Sequence, residues 1–180
     1  ANPDTSSWDT SRVINMYEMF DGATSANPET GGWNTANVEN MGRLFSSATS
    51  ATPDVSNWDT SAATNMFEMF AEATVASPDT STWNTENVEN MGSMFRNATQ
   101  ATPNTSSWNT ANLEIMGGIF LNAAQATPVM SSWQLGKLTT LEDAFTGSGL
   151  TQDNYTALLV NLGLQNTLKS AVILSTAPTF

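Results

Sequence analysis

Carboxylates recur in this sequence every 25 residues, at Asp4, Glu29, Asp54 and Asp79, with Asn104 next in the same phase. Like charges stacked in neighbouring copies of a repeat repel unless something positive lies between them, and no column of Lys or Arg accompanies these. A hard divalent cation, calcium above all, is held by such oxygen ligands at about 2.3 to 2.6 Å. The four residues are therefore read as a calcium site. The alternative is that each carboxylate caps a turn and water screens the rest. Asp9 and Asp59 form a second acidic column, expected to cap helices. The chain has no His and no Cys, which removes His/Cys metal sites and His- or Cys-based triads. An enzyme needs a cleft of convergent polar groups that breaks the repeat. The copies are too regular to show one, so the chain is read as non-catalytic.

A second candidate surface is hydroxyl-rich. Thr5, Thr30, Thr80 and Thr105 share position 5 of the unit, and Thr82 lies at position 7. If the Trp at position 8 points inward, both columns point outward as a flat Thr/Ser lattice suited to a ligand. The same lattice resembles an ice-binding face, but Gly32, Val55, Asn57 and Met130 interrupt it. Tyr17 and Phe67 flank Gly42 in the position-17 column. They are either an exposed aromatic contact site or rings lying over the glycine gap.

Charge narrows the partners. Seventeen acidic residues against five basic ones give a formal net charge of −12. The basic residues Arg12, Arg43, Arg96, Lys137 and Lys169 are scattered, so nucleic acid and anionic membrane are poor partners. A protein or glycan ligand fits better. No apolar run approaches the roughly 20 residues of a membrane span.

The elements that position these columns follow from the repeat. Six units begin at Ala1, Ala26, Ala51, Ala76, Ala101 and Ala126. Each has Pro at position 3, Trp at position 8 and Phe at position 20, and position 16 is Met until Leu141. Units alternate in type: Tyr17 and Phe67 stand where the next units have Gly42 and Gly92. Apolar residues at 13, 16, 19, 20 and 23 share one face of a short helix, for which Thr10 or the residue before it is the N-cap. Positions 4 to 8 are compatible with a strand. Stacked units would bury a continuous core, with Trp and Met columns inside and an Asn column at position 15 satisfying backbone groups. The expected fold class is α/β: a leucine-rich-repeat-like solenoid with a parallel β-sheet on one side and short helices on the other. Residues 1–150 are the repeats and 151–180 a C-terminal helical cap, with a helix from Thr151 ended by Gly163 and a β-like Ala171–Leu174. The first unit, with no cap before it, is expected to be an open edge strand, able to pair with an upstream unit or with a second copy as a homodimer.

The run Trp-Asp-Thr-Ser-x-Val-x-x-Met-x-x-Met-Phe from Trp8 to Phe20 resembles the signature of BspA-like leucine-rich-repeat bacterial surface proteins. Leu150 to Leu159 resembles the helical segment that follows such arrays. Position 1 departs from the family's Phe and position 5 from its Ile. The resemblance implies an extracellular, secreted or cell-surface location, as part of a larger protein, and a role in cell adhesion through protein or glycan binding, with no catalytic residues. A structural spacer or dimerisation module is the alternative.

Overall fold

A computed structural model describes residues 2–165, with side chains to residue 161. Ala171–Leu174, expected to be β-like, lies outside the described residues.

Each 25-residue unit forms one coil, and the coil is a chain of tight turns. Amide N–H groups at positions 8 and 13 donate to the carbonyls of positions 5 and 10, and those at 19, 21 and 23 to 16, 18 and 20. In the third coil these include Trp58 to Val55, Ala63 to Thr60 and Met69 to Met66, at 3.1, 3.0 and 3.3 Å. These are three-residue closures, the geometry of β-turns.

Successive coils are joined by a second set of bonds. The N–H groups of positions 16, 18, 20 and 22 donate to the carbonyls of positions 15, 17, 19 and 21 in the next coil, at all five junctions. From the second coil to the third these run Met41 to Asn65, Arg43 to Phe67, Phe45 to Met69 and Ser47 to Ala71, at 2.7 to 2.9 Å. Residues 17 to 22 thus bond upward and within their own coil by turns. The alternation requires left-handed backbone at positions 18 and 22, where φ is 52° to 69° in every coil. Only Gly22, Gly118 and Gly147 meet that need with glycine.

The expected α/β fold class is therefore corrected. Among the described residues there is no sheet, only isolated parallel bridges that link position 15 from coil to coil, Asn15 to Asn40 and onward to Thr140. No coil contains a helix; the α-helix of the described residues is α1, Gln152–Gln165. The physical reason is local. Spacings of three and four place 13, 16, 20 and 23 inward in a chain of tight turns as readily as on a helix, but positive φ at 18 and 22 is incompatible with a right-handed helix. Extension at positions 4 to 8 is broken by the carboxylate of Asp4, Asp54 or Asp79, which accepts the N–H two residues on.

The inward columns make one continuous core. Phe45, Phe70, Phe95 and Phe120 are fully buried, and the Phe column stacks from Phe20 to Phe145 with ring centroids 5.5 to 6.1 Å apart. Trp33, Trp58, Trp83, Trp108 and Trp133 are 1 to 4% exposed. The Met column is buried from Met16 to Met116. As core assignments, the Met column and the Trp column from Trp33 onward are as expected, whereas Trp8 is 43% exposed.

The last coil is followed by α1. The Thr151 hydroxyl accepts the Asn154 N–H at 3.3 Å, an N-cap as expected. Leu158 is buried and Tyr155 packs against the core, whereas Leu159 is 42% exposed. Gly163 lies inside the helix rather than ending it.

Ser93 sits at φ 54°, where an L side chain is strained and glycine is not. Ser93→Gly should stabilise the fold by up to about 1 kcal/mol, and Ser93→Val should destabilise it, because a β-branched residue is the poorest fit to positive φ. Urea melts of both variants check this; a destabilised glycine variant would contradict the turn geometry.

Candidate functional site

The hydroxyl column is not on the surface. Thr5, Thr30, Thr80 and Thr105 are buried, at 0 to 1% exposure. Each donates its Oγ1 to the carbonyl of position 4 in the next coil: Glu29, Asp54, Asn104 and Val129, at 2.6 to 3.0 Å. The reason is the alternation of the chain around the Trp: positions 5, 8 and 10 all point inward, and two exposed turn residues separate 5 from 8. Thr10, Thr35, Thr60, Thr85 and Thr110 repeat the device one turn later, on carbonyls of position 9. Their expected helix-capping role falls with the helix. Sequence reasoning missed this second Thr column as a structural ladder, although its regularity matched that of the Trp column. Thr82 does remain exposed, and its hydroxyl bonds the Ser56 carbonyl at 2.8 Å.

The acidic column is outward. Asp4, Glu29, Asp54 and Asp79 are all exposed. Oδ1 of Asp4 accepts both the N–H and the hydroxyl of Ser6, at 3.0 and 2.6 Å, and Asp54 holds Ser56 in the same way at 3.1 and 2.7 Å. Asp79 accepts the Ser81 N–H at 3.0 Å. Glu29 precedes Gly31 and lacks the equivalent serine. These are Asx turns, and the serine hydroxyl and then the serine N–H hold Asp4, Asp54 and Asp79 below the usual carboxylate range. Asp9 and Asp59 are lowered in the same manner by Ser11 and Ser61. Asp79 pushes weakly the other way on Asp54, which places the two charges within each other's field. Among the described residues no three or more acidic side chains converge as a metal cluster would.

The aromatic pair lies over the glycines. A Cβ at Gly42 would meet Cδ2 of Tyr17 at 3.0 Å, and one at Gly92 would meet Cδ2 of Phe67 at 3.4 Å. The alternation of unit types is thereby explained: an aromatic at position 17 needs glycine above it. Tyr17 is nonetheless 43% exposed, and Phe67 is half-buried.

Beside Tyr17 runs a row of ion pairs. Arg43 reaches Glu18 at 2.9 Å, Asp21 at 2.8 Å and Glu68 at 3.5 Å. Arg96 reaches Glu72 at 2.8 Å and Glu68 at 3.5 Å. Desolvation opposes the charge of Arg43, but Asp21, the Tyr17 hydroxyl, Glu18 and Glu68 outweigh it and raise its pKa. Such half-exposed pairs contribute little each to stability. Their effect on function is to occupy two of the few cations. The Asn column fills its expected role: Oδ1 of Asn15, Asn40, Asn65 and Asn90 accepts the N–H two residues on, at 2.8 to 3.0 Å.

Some of the outward carboxylates remain uncommitted. Glu39, Glu89 and Glu114 share position 14, are exposed, and form no ion pair among the described residues. A shallow groove of about 740 Å³ on another face is lined by Thr74, Val75, Ser77, Thr99, Gln100 and Thr102. No helix of the described residues is long and apolar enough to cross a membrane.

Residues 1–101 and 51–158 match a protein family described as "Mycoplasma protein of unknown function, DUF285". No curated protein and no solved structure matches the chain.

Thr80→Val keeps the shape, since Val55 occupies the same column, but strands the Asn104 carbonyl. A loss of about 1 to 3 kcal/mol is expected; an unchanged urea midpoint would contradict the ladder. The depressed aspartates add stability that is fully present above their ordinary pKa of 3.8 and is lost as pH falls through the lower folded values. Asn104 makes the same turn with Ser106. Asp54→Asn with Asp79→Asn should therefore melt like the parent at pH 7 and lose less stability below pH 4. A double variant whose acid limb superimposes on the parent's would remove the Asx account.

Proposed function

We propose that this chain, which belongs to the DUF285 family, is a non-catalytic binding module that presents one flat, anionic face of a rigid stack to a protein or glycan partner. The observation that carries this reading is the uncommitted carboxylate column of Glu39, Glu89 and Glu114. The buried Thr and Trp columns and the more exposed Asn column serve the fold, and Arg43 and Arg96 are consumed in ion pairs. Glu89 and Glu114 stand in adjacent coils and Glu39 two coils before Glu89, with Thr64 between, and their exposed side chains form no ion pair among the described residues. A face of one sign steers a basic partner and loses strength with salt.

The resemblance to BspA-like surface repeats supports placing the module outside the cell, as an adhesive part of a larger protein. Calcium enters this reading as a bridge at Asp4, Glu29, Asp54 and Asp79, where the three aspartates keep Oδ2 outside their Asx turns. A structural spacer is the second reading, and it draws on the number of outward polar groups already satisfied internally.

Peptide and glycan arrays, run in chelator and in millimolar calcium at two salt concentrations, test the proposal. Binding to basic peptides or neutral glycans is expected. It should weaken when Glu39, Glu89 and Glu114 are all changed to Gln, in a variant that melts like the parent. Absence of any binding, or binding indifferent to the three substitutions, would leave the spacer.

A further inference from the structure

The groove of about 740 Å³ lies on an uncharged strip of the stack. Positions 24 and 25 of each coil and position 2 of the next carry no charge from Thr24 to Thr127, in a chain of net charge −12. They are exposed, except for the half-buried Thr74, and the Ala column between them is buried from Ala26 to Ala126.

The groove opens where the repeat changes. Position 25 is Ser25 and Ser50 in the first two coils, then Val75, Gln100 and Gln125. The acidic column ends at the same level, position 4 passing from Asp79 to Asn104 and Val129. The longer side chains are not needed to build the coil. The turn they sit in closes identically with serine, Ala51 N–H to the Ala48 carbonyl at 3.0 Å and Ala101 to Ala98 at 3.1 Å. They are also outward, with Val75 43% exposed.

The polar groups of the groove are ordered but not used up. Nε2 of Gln125 donates to Oε1 of Gln100 at 3.1 Å, which leaves Nε2 of Gln100 and Oε1 of Gln125 without a partner among the described residues. The Ser77 and Thr102 hydroxyls share one hydrogen bond of 2.9 Å, and each keeps capacity for another. The Thr99 hydroxyl reaches the Thr74 carbonyl only at 3.5 Å.

We propose that this groove is a glycan site, which takes a short uncharged oligosaccharide lying along the stack from Thr74 to Gln125. Its volume falls in the range of small-ligand sites, about 300 to 1,000 Å³. Sugar hydroxyls both donate and accept, as do the spare hydroxyl and amide groups here, and the C–H face of a sugar ring covers Val75. An anionic ligand meets no cation in the groove and is repelled by the net charge of the chain. A basic peptide finds no carboxylate among the lining residues and is drawn to the position-14 face instead. The groove is a second site, which goes beyond that anionic face and does not depend on it.

The test is a titration of the labelled chain with cellotetraose, maltotetraose, mannotetraose and chitotetraose. It is read at the side-chain amides of Gln100 and Gln125 and at the methyl groups of Thr74 and Thr99. Saturable shifts with at least one of these saccharides are expected, equal at low and high salt because no ion pair is made. Gln100→Ala with Gln125→Ala removes exposed groups only, so the variant should melt like the parent. Its saccharide affinity, read at the threonine methyls, should fall by about tenfold or more. Changing Glu39, Glu89 and Glu114 to Gln should leave these shifts in place, so failure of the anionic face and failure of the groove are told apart. Absence of shifts with every saccharide, undiminished affinity in the double alanine variant, or a response to the uncharged peptide tetraserine alone would each overturn the proposal.

Discussion

The structure depends on one repeated constraint: four backbone N–H groups per coil, at positions 16, 18, 20 and 22, are handed to the next coil. Bonding every second amide upward leaves the intervening ones to close turns within the coil. The chain does both by entering the left-handed region at positions 18 and 22. Nine non-glycine residues adopt positive φ to keep this register. That strain is tolerable because the same strip brings Phe20, Phe45 and their successors into a continuous stack, and aromatic burial outweighs a local backbone cost of about 1 kcal/mol per residue.

The side-chain hydroxyls and indoles extend the same principle to the rest of the coil. Positions 4 to 13 have few backbone bonds between coils, and there Thr5 and Thr10 bridge upward while Trp33 and its successors bridge downward. Buried carbonyls are thereby satisfied without a sheet. Trp108 marks the exception, its buried Nε1 having no partner among the described residues. The surface inherits what is left. Serines and aspartates close Asx turns on one another, Arg43 and Arg96 sit between acids, and the side chains of the position-14 glutamates face solvent.

Periodicity made much of this legible. The 25-residue register, the buried Trp, Met and Phe columns, the Asn column and the Thr151 cap all follow from which residue recurs where. Two things did not. Inward spacing of 13, 16, 20 and 23 is shared by a helix and by a run of tight turns. The residues that discriminate, at 18 and 22, are Glu, Arg, Ser, Asn or Asp in nine cases and Gly in three, so the signal in Gly22, Gly118 and Gly147 was diluted. The Thr column at position 5 was read as outward from strict alternation with Trp8. Two turn residues lie between them, and they shift the parity. The pairing of Tyr17 with Gly42 in the next coil, by contrast, was legible as one of two readings, because a ring needs a gap and the glycine supplies one.

Scalar couplings across hydrogen bonds test the central claim most directly, because they report which carbonyl each amide addresses. Couplings are expected from the Phe45 amide to the Met69 carbonyl and from Ser47 to Ala71, with backbone couplings that place Arg43, Ser47, Glu68 and Glu72 at positive φ. Helical shifts across residues 41–48, with amides coupled to carbonyls four residues earlier in the same coil, would contradict the account.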